Sequence, residues 1–366
     1  MRVVVAPDSY GGSLTAQEVA AAVAAGWRAV SPDDELIEVP LSDGGSGFAA
    51  VLATLPAAQR VAAACTGPTG RPLQASVVRI GATAYVESAL ACGLDLLLAL
   101  DGDVRTATTY GVGELIGAAA DLGGVDTIVV GLGGSGTNDG GAGALAALGA
   151  QPAAALAGGG VALRGLDRVD LPASLAVRLV AATDVDSPLL GPRGASAVYG
   201  PQKGADPEAV AELEAGVTRW AEAVEVGTGR PGLRDMAGAG AAGGLGFGLF
   251  ALGAERKSGA ELVVAATGLA ALVADADLVV TGEGRFDPTS LRGKLPAVVA
   301  RVAQGCGVPC IVAAGQAAVG TRDAAAHGID EVWSVTDALG SVDAALGAGG
   351  DGVAELGRRI AGAWAR

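Results

Sequence analysis

The stretch Val279-Val280-Thr281-Gly282-Glu283-Gly284-Arg285-Phe286-Asp287, followed by Gly293-Lys294, decides how this chain is read. A short apolar run, Leu278 to Val280, stops at glycines that carry Glu, Arg, Asp and then Lys. Such a run, bounded by glycines, reads as a buried strand of an α/β sheet followed by a turn. Ligands of open α/β sheets sit at the carboxyl ends of the strands, where these charges fall. Carboxylates suit Mg²⁺ or a proton, cations suit phosphoryl oxygens, and glycines allow close backbone approach. Alone, this loop is equally well a solvated turn. The same design recurs along the chain.

Residues 2–6 form a β-branched strand ending in Pro7-Asp8-Ser9-Tyr10-Gly11-Gly12. An Ala-rich helix follows through Val30, with Thr15 and Glu18 at capping-box spacing. Glu35 to Leu41 is a second strand, closed by Ser42-Asp43-Gly44-Gly45-Ser46-Gly47 and another helix. The C-terminal part repeats this β-α-β-α pattern, with strands at 277–281, 310–314 and 330–335. The middle differs. Residues 66–90 alternate as in hairpins, a buried strand at 127–130 leads into Gly131 to Gly141, and 153–160 reads as an internal loop. Strand 177–183 ends at Asp184-Val185-Asp186. The expected architecture is α/β: a discontinuous Rossmann-like parallel-sheet domain (1–60 plus 280–366), a large inserted α/β domain (61–279), and a cleft between them.

At 366 residues the chain has room for about two domains of the usual ~150 residues. Hydrophobic residues make up 51%, enough for a sizeable core, and the 60 glycines and 16 prolines fall below a low-complexity signature. Net charge is −15 and aromatics are only 3%, which argues against nucleic acid and anionic membranes as partners. Four cysteines without a CxxC, and one histidine, His327, leave no zinc set; the thiols read as buried and structural. One histidine also argues against a Ser-His-Asp hydrolase. The first apolar run is too short for a signal peptide and no run approaches a membrane span, so cytoplasm is the expected compartment.

Gly131-x-Gly133-x-x-Gly136 matches the dinucleotide fingerprint in spacing, but the acid expected ~20 positions later is missing. Thr137-Asn138-Asp139 follow instead, which favours phosphate or substrate cradling by backbone amides. No Walker A motif or protein-kinase set is present.

Seven segments, in order, resemble the bacterial glycerate kinase family, which is unrelated to P-loop and protein kinases. They are Ala6-Pro7-Asp8-Ser9-Tyr10, Asp43-Gly44-Gly45, Gly133 to Gly143, Gly191-x-x-Gly194-Ala195-Ser196-Ala197, Gly200-Pro201-Gln202-Lys203-Gly204-Ala205, Gly238 to Gly244, and Thr281 to Arg285. The resemblance implies ATP, Mg²⁺ and transfer of the γ-phosphoryl to a hydroxyl of D-glycerate or a similar hydroxy acid. It assigns Gly133, Gly134, Ser135, Thr137, Asn138, Gly282, Glu283, Gly284 and Arg285 to the nucleotide. It assigns Ser9, Gly44, Gly45 and Lys203 to the substrate. Asp8, Asp43, Asp184 and Asp287, with Lys294, form the catalytic pool, and Asp184 and Asp287 are the expected Mg²⁺ ligands. A small-molecule substrate is the expected partner, and a homodimer is left open.

Four positions depart from the family pattern. Gly11 stands where a Lys is usual, Ser46 where a Glu is usual, Phe48 for a Thr, and Ser187 for an Asn. Two further readings follow: a repurposed relative that kept the fold without the chemistry, and a nicotinamide oxidoreductase using Gly131 to Gly136.

Overall fold

The computed structural model describes residues 1–365, and the chain divides into two compact units. The first unit contains Met1–Asp43, Ala50–Leu52 and the chain from Gly259 onward; the second contains Gly44–Ala49 and Ala53–Ser258. The helices Gly259–Thr267 and Leu269–Val273 thus go with the first unit.

The first unit opens with β1 (Arg2–Pro7) and β2 (Glu35–Glu38). The chain then builds the second unit from β3 (Ala58–Thr66), β4 (Pro72–Ile80), β5 (Thr83–Glu87), β6 (Thr127–Gly131), β7 (Arg178–Ala182) and β8 (Glu255–Lys257). It returns to the first with β9 (Leu278–Phe286), β10 (Cys310–Ala317) and β11 (Glu331–Ser334).

The first sheet runs β11-β10-β9-β1-β2 and every pairing is parallel. Val3, Val4, Val5, Leu278, Val279, Ile311 and Val312 are fully buried, as expected of strands covered on both faces. The helix Ala16–Arg28 starts with the capping box read from the sequence: Thr15 Oγ1 accepts from the Glu18 amide, and Glu18 accepts from the Thr15 amide. The register sets Pro7 opposite Gly282, and the Asp8 amide donates to the Gly282 carbonyl at 2.8 Å. Asp8 is thereby fixed beside Glu283.

One expectation fails here. The sequence reading ended the strand at Val280 or Thr281 and made Gly282 to Phe286 a turn. Instead β9 continues to Phe286, with Glu283 opposite Ala314 and Arg285 opposite Gln316 on β10. Gly282 is needed for packing, not for turning: a Cβ there would lie 1.9 Å from the Ala313 carbonyl oxygen. Glu283 and Arg285 therefore project from a rigid strand.

In the second unit β4 and β5 form the expected antiparallel hairpin, β3 also pairs antiparallel with β4, and β5 to β8 run parallel. The segment read as a loop at 153–160 instead contains the helix Ala153–Leu156 and leads into a 3₁₀ turn, Gly160–Gly165. With few aromatics available, Trp220, Phe247 and Phe250 fill the centre, the first two edge-to-face at 6.4 Å. Three cysteines, Cys65, Cys92 and Cys310, are buried as expected, but Cys306 is exposed.

Candidate active site

In the first unit, acids gather at the carboxyl ends of β1 and β9. Asp8 is half-buried, and its Oδ1 accepts the Ser9 amide at 2.6 Å. Burial, then the neighbouring Asp43 and Glu283 carboxylates, holds its carboxyl well above the usual range. Burial likewise pushes Glu283 up to about 7, with Asp43 and Asp287 adding to the rise; the Ser290 hydroxyl and the Lys294 ammonium oppose it. Glu283 Oε1 is buried with no hydrogen-bond partner among the described residues. Lys294 stands just before the helix Leu295–Cys306. Tyr10 closes the base of the cluster, its hydroxyl donating to the Ala313 carbonyl at 2.7 Å. The structure therefore brings together Asp8, Asp43, Glu283, Asp287 and Lys294.

Asp287 is partly committed. Its Oδ1 accepts from the Thr289 amide at 2.8 Å and the Thr289 hydroxyl at 2.6 Å, and the hydroxyl bond leads the causes that lower its pKa. Arg285 is exposed, its Nε 3.8 Å from Asp287 Oδ2.

The raised Glu283 carboxyl has a stability consequence. The folded protein holds this proton more tightly than the unfolded chain, so the associated stability is complete below about pH 4.5 and is lost as pH rises toward 7. Glu283→Gln removes the buried charge and is expected to stabilise the protein above pH 7 by up to about 3 kcal/mol. Thermal melts at pH 8 and pH 5 check this: the gain should be present at the first and shrink toward zero at the second. An unchanged or lowered midpoint at pH 8 refutes it.

In the second unit, the loop after β6 is braced from several sides. The Asp139 carboxylate, fully buried, accepts from the Thr109 amide and hydroxyl (2.8 Å each) and from the Gly141 and Gly143 amides at 3.0 and 3.2 Å. Asn138 Nδ2 donates to Ser196 Oγ at 3.0 Å, and the Gly140 amide donates to the Gly243 carbonyl at 3.0 Å. A Cβ at Gly243, whose φ is +66°, would lie 1.9 Å from the Thr137 carbonyl oxygen, so the second glycine-rich loop buttresses the first. Lys203 is buried under the loop: its Nζ donates to Ser135 Oγ at 2.9 Å and to the Thr137 carbonyl at 2.7 Å. Both named acceptors belong to the loop itself, whereas the sequence reading gave Lys203 to the substrate. Gly133 and Gly134 pack on the Gly45-Ser46 turn, and Asp184 follows β7.

Sequence reasoning noted Asp139 without giving it a role, and passed over Glu87. Asp139 had a signal, since Asp before Gly140-Gly141 is a residue that bonds amides two and four positions ahead. Glu87 had none: it accepts from the Gly47 and Ala49 amides, some 40 residues away. Two of the departures are explained locally. Phe48 is fully buried and meets Tyr85 edge-on at 5.9 Å, so its bulk fills core. Ser187 Oγ pairs with the Tyr199 hydroxyl at 3.0 Å.

The family model described as the glycerate kinase family matches residues 3–365. The chain belongs to the glycerate kinase family. It is 41% identical to the glycerate 2-kinase of Escherichia coli (strain K12), over 99% of this chain and 97% of that one. It is 40% identical to the glycerate kinase of Bacillus subtilis (strain 168), over 92% and 90% respectively. A crystal structure of a candidate glycerate kinase 2 from Salmonella typhimurium LT2 superposes with a TM-score of 0.78 at 40% identity, covering 99% of this chain and 98% of that chain. Membership in a kinase family implies ATP as phosphoryl donor and a small-molecule acceptor. No described helix is long and apolar enough to cross a membrane.

Proposed function

We propose that this chain is an ATP-dependent kinase that phosphorylates a hydroxyl of D-glycerate or a closely related small hydroxy acid. The carrying observation is its full-length similarity, at about 40% identity, to relatives named as glycerate kinases. The residues suit the reaction. Phosphoryl transfer needs positioning and charge neutralisation more than covalent chemistry.

Asp8 is the proposed proton acceptor, because a carboxylate with a raised pKa takes a hydroxyl proton more readily than an ordinary one. Lys294 and Arg285 face the phosphoryl charge. Among the described residues no hydrogen bond engages the amides of Gly133, Gly134, Ser135, Thr137 and Asn138, which leaves a run of donors suited to phosphate oxygens. In the first unit, Gly282 to Arg285, Glu283 among them, are proposed for the nucleotide and Ser9 for the acceptor; in the second unit, Gly44 and Gly45 are proposed for the acceptor.

A hard cation suits the donor set. Among the described residues no three carboxylate, imidazole or thiol groups gather into a metal cage, and Mg²⁺ ordinarily uses one or two carboxylates together with substrate phosphates. Asp287, through its Oδ2, is the proposed ligand of the first unit and Asp184 that of the second. Mg²⁺ held by either carboxylate would supply charge neutralisation on the β- and γ-phosphates.

The test is a coupled ADP-release assay over small hydroxy acids with MgATP, glycerate first. Glycerate-dependent release that disappears with EDTA is the expected result. Stabilisation of the protein by NAD(H) with no response to MgATP would instead favour the oxidoreductase reading.

A further inference from the structure

We propose that Lys203 is a positioning residue, whose buried ammonium holds residues 135–137 in the shape that presents the loop amides and whose ionisation sets the alkaline limit of nucleotide binding. The nucleotide half of this inference rests on the function proposed for the loop; the bracing half stands on geometry alone.

Lys203 arrives from the 3₁₀ turn Pro201–Lys203, far along the chain from the loop, and ends beneath it. Its two hydrogen bonds go to consecutive odd positions, the Ser135 hydroxyl and the Thr137 carbonyl, and so fix the backbone between them. Only 5% of the residue is exposed. Among the described residues no carboxylate lies within ion-pair distance, and the titratable groups that act on it are Cys92, at the end of the helix Ala89–Cys92, and Asp139. Asp139 spends its oxygens on Thr109, Gly141 and Gly143, and burial pushes the Cys92 thiol up to about 12, so it stays neutral. An ammonium buried in this way is destabilised chiefly by desolvation, which lowers its pKa to about 8.

Above that pH the neutral amine keeps N–H groups but loses charge assistance, which roughly halves the strength of such bonds. The positive charge beneath the amides disappears at the same time. Both changes weaken phosphate binding without unfolding the protein. A lysine with a depressed pKa binds fewer protons folded than unfolded between about 8 and 10.5, so its contribution to stability rises with pH in that window.

The experiment is hydrogen–deuterium exchange of the Gly136 and Gly140 amides, which donate to the Cys92 and Gly243 carbonyls, corrected for intrinsic rate and referenced to β6, with MgATP affinity measured by calorimetry on the same samples. Lys203→Met replaces the stem at similar length without charge or donor. At pH 7 this variant should lose about tenfold in loop protection and in ATP affinity, with β6 unchanged. Wild type should lose severalfold in both between pH 7 and pH 9.5, while the variant's affinity stays flat. If Lys203→Met does not fold, Ser135→Ala, which removes one acceptor, and the wild-type pH series still decide. Loop protection that is indifferent to both substitution and pH overturns the brace. Lost protection with unchanged ATP affinity supports the brace and removes the nucleotide reading of the loop.

Discussion

Replacing Asp8 with Asn is expected to lower kcat by about 10²- to 10⁴-fold, the ordinary contribution of a positioned proton acceptor, while making the protein more stable at pH 8. Both effects have one cause. Asp8 is crowded by Asp43 and Glu283 and withdrawn from water, so its charged form is disfavoured in the folded state. A carboxyl whose pKa is raised by folding contributes stability at low pH, and that contribution is lost as pH rises through its folded value. As pH rises, the wild-type enzyme is driven to ionise a group whose charge folding resists, and Asn removes that cost. The resistance makes the carboxylate useful, since a stronger base accepts the substrate proton more readily. KM for ATP and for glycerate should move only a few-fold, because the substitution removes an interaction made in the transition state. Steady-state kinetics paired with thermal melts at pH 8 check both halves. A kcat reduced less than tenfold would sink the assignment of Asp8 as proton acceptor; a lowered melting midpoint would sink the electrostatic account.

Much of the frame was legible in the sequence because it is written in local patterns. The runs of β-branched residues that became β1, β6 and β9 were readable, as was the Thr15–Glu18 capping box, since each depends on residues within a few positions. The acid cluster was legible too: β1 and β9 are parallel neighbours, so the loop after β1 had to meet the acids carried on and just after β9. What escaped was set by tertiary contact. Glycines at 282 and 284 read as turn formers, yet they serve the approach of Ala313 and Tyr10 to a continuing strand. Lys203 read as a cation for the substrate, because its spacing said nothing about the two acceptors waiting beneath the loop. Glu87 carried no signal, since its partners at Gly47 and Ala49 are remote in sequence. Composition misled once: an Ala- and Gly-rich stretch at 153–160 looked like a loop, but alanine is also the best helix former.

The largest gain of function is expected from Gly11→Lys combined with Ser46→Glu. The family resemblance leads one to expect a cation and an anion at these positions, in the loops that follow β1 and β2, where this chain has Gly and Ser. Both residues are exposed, and a side chain at Gly11 meets nothing within 4 Å, so the substitutions should leave the fold and its stability intact. Their consequence is electrostatic. Asp8, Asp43 and Glu283 crowd one strand end, and a lysine three residues after Asp8 adds a counter-charge where an anionic acceptor and a polyphosphate must bind. Ser46→Glu alone should reduce activity, because its carboxylate enters beside Gly134, next to the amides proposed to hold phosphate. Made together, the two substitutions add one cation and one anion, so the net charge is unchanged. The double variant should therefore exceed the sum of the single effects in glycerate turnover, with a coupling in the range of about 0.5–3 kcal/mol seen for interacting sites. Wild type should turn over D-glycerate more slowly than the ~1–100 s⁻¹ usual for kinases, or prefer another small hydroxy acid. A complete double-mutant cycle in kcat/KM, run with D-glycerate and two shorter or longer hydroxy acids, separates these cases. Ordinary wild-type turnover of D-glycerate with no coupling between the two positions would show that Gly11 and Ser46 are neutral replacements.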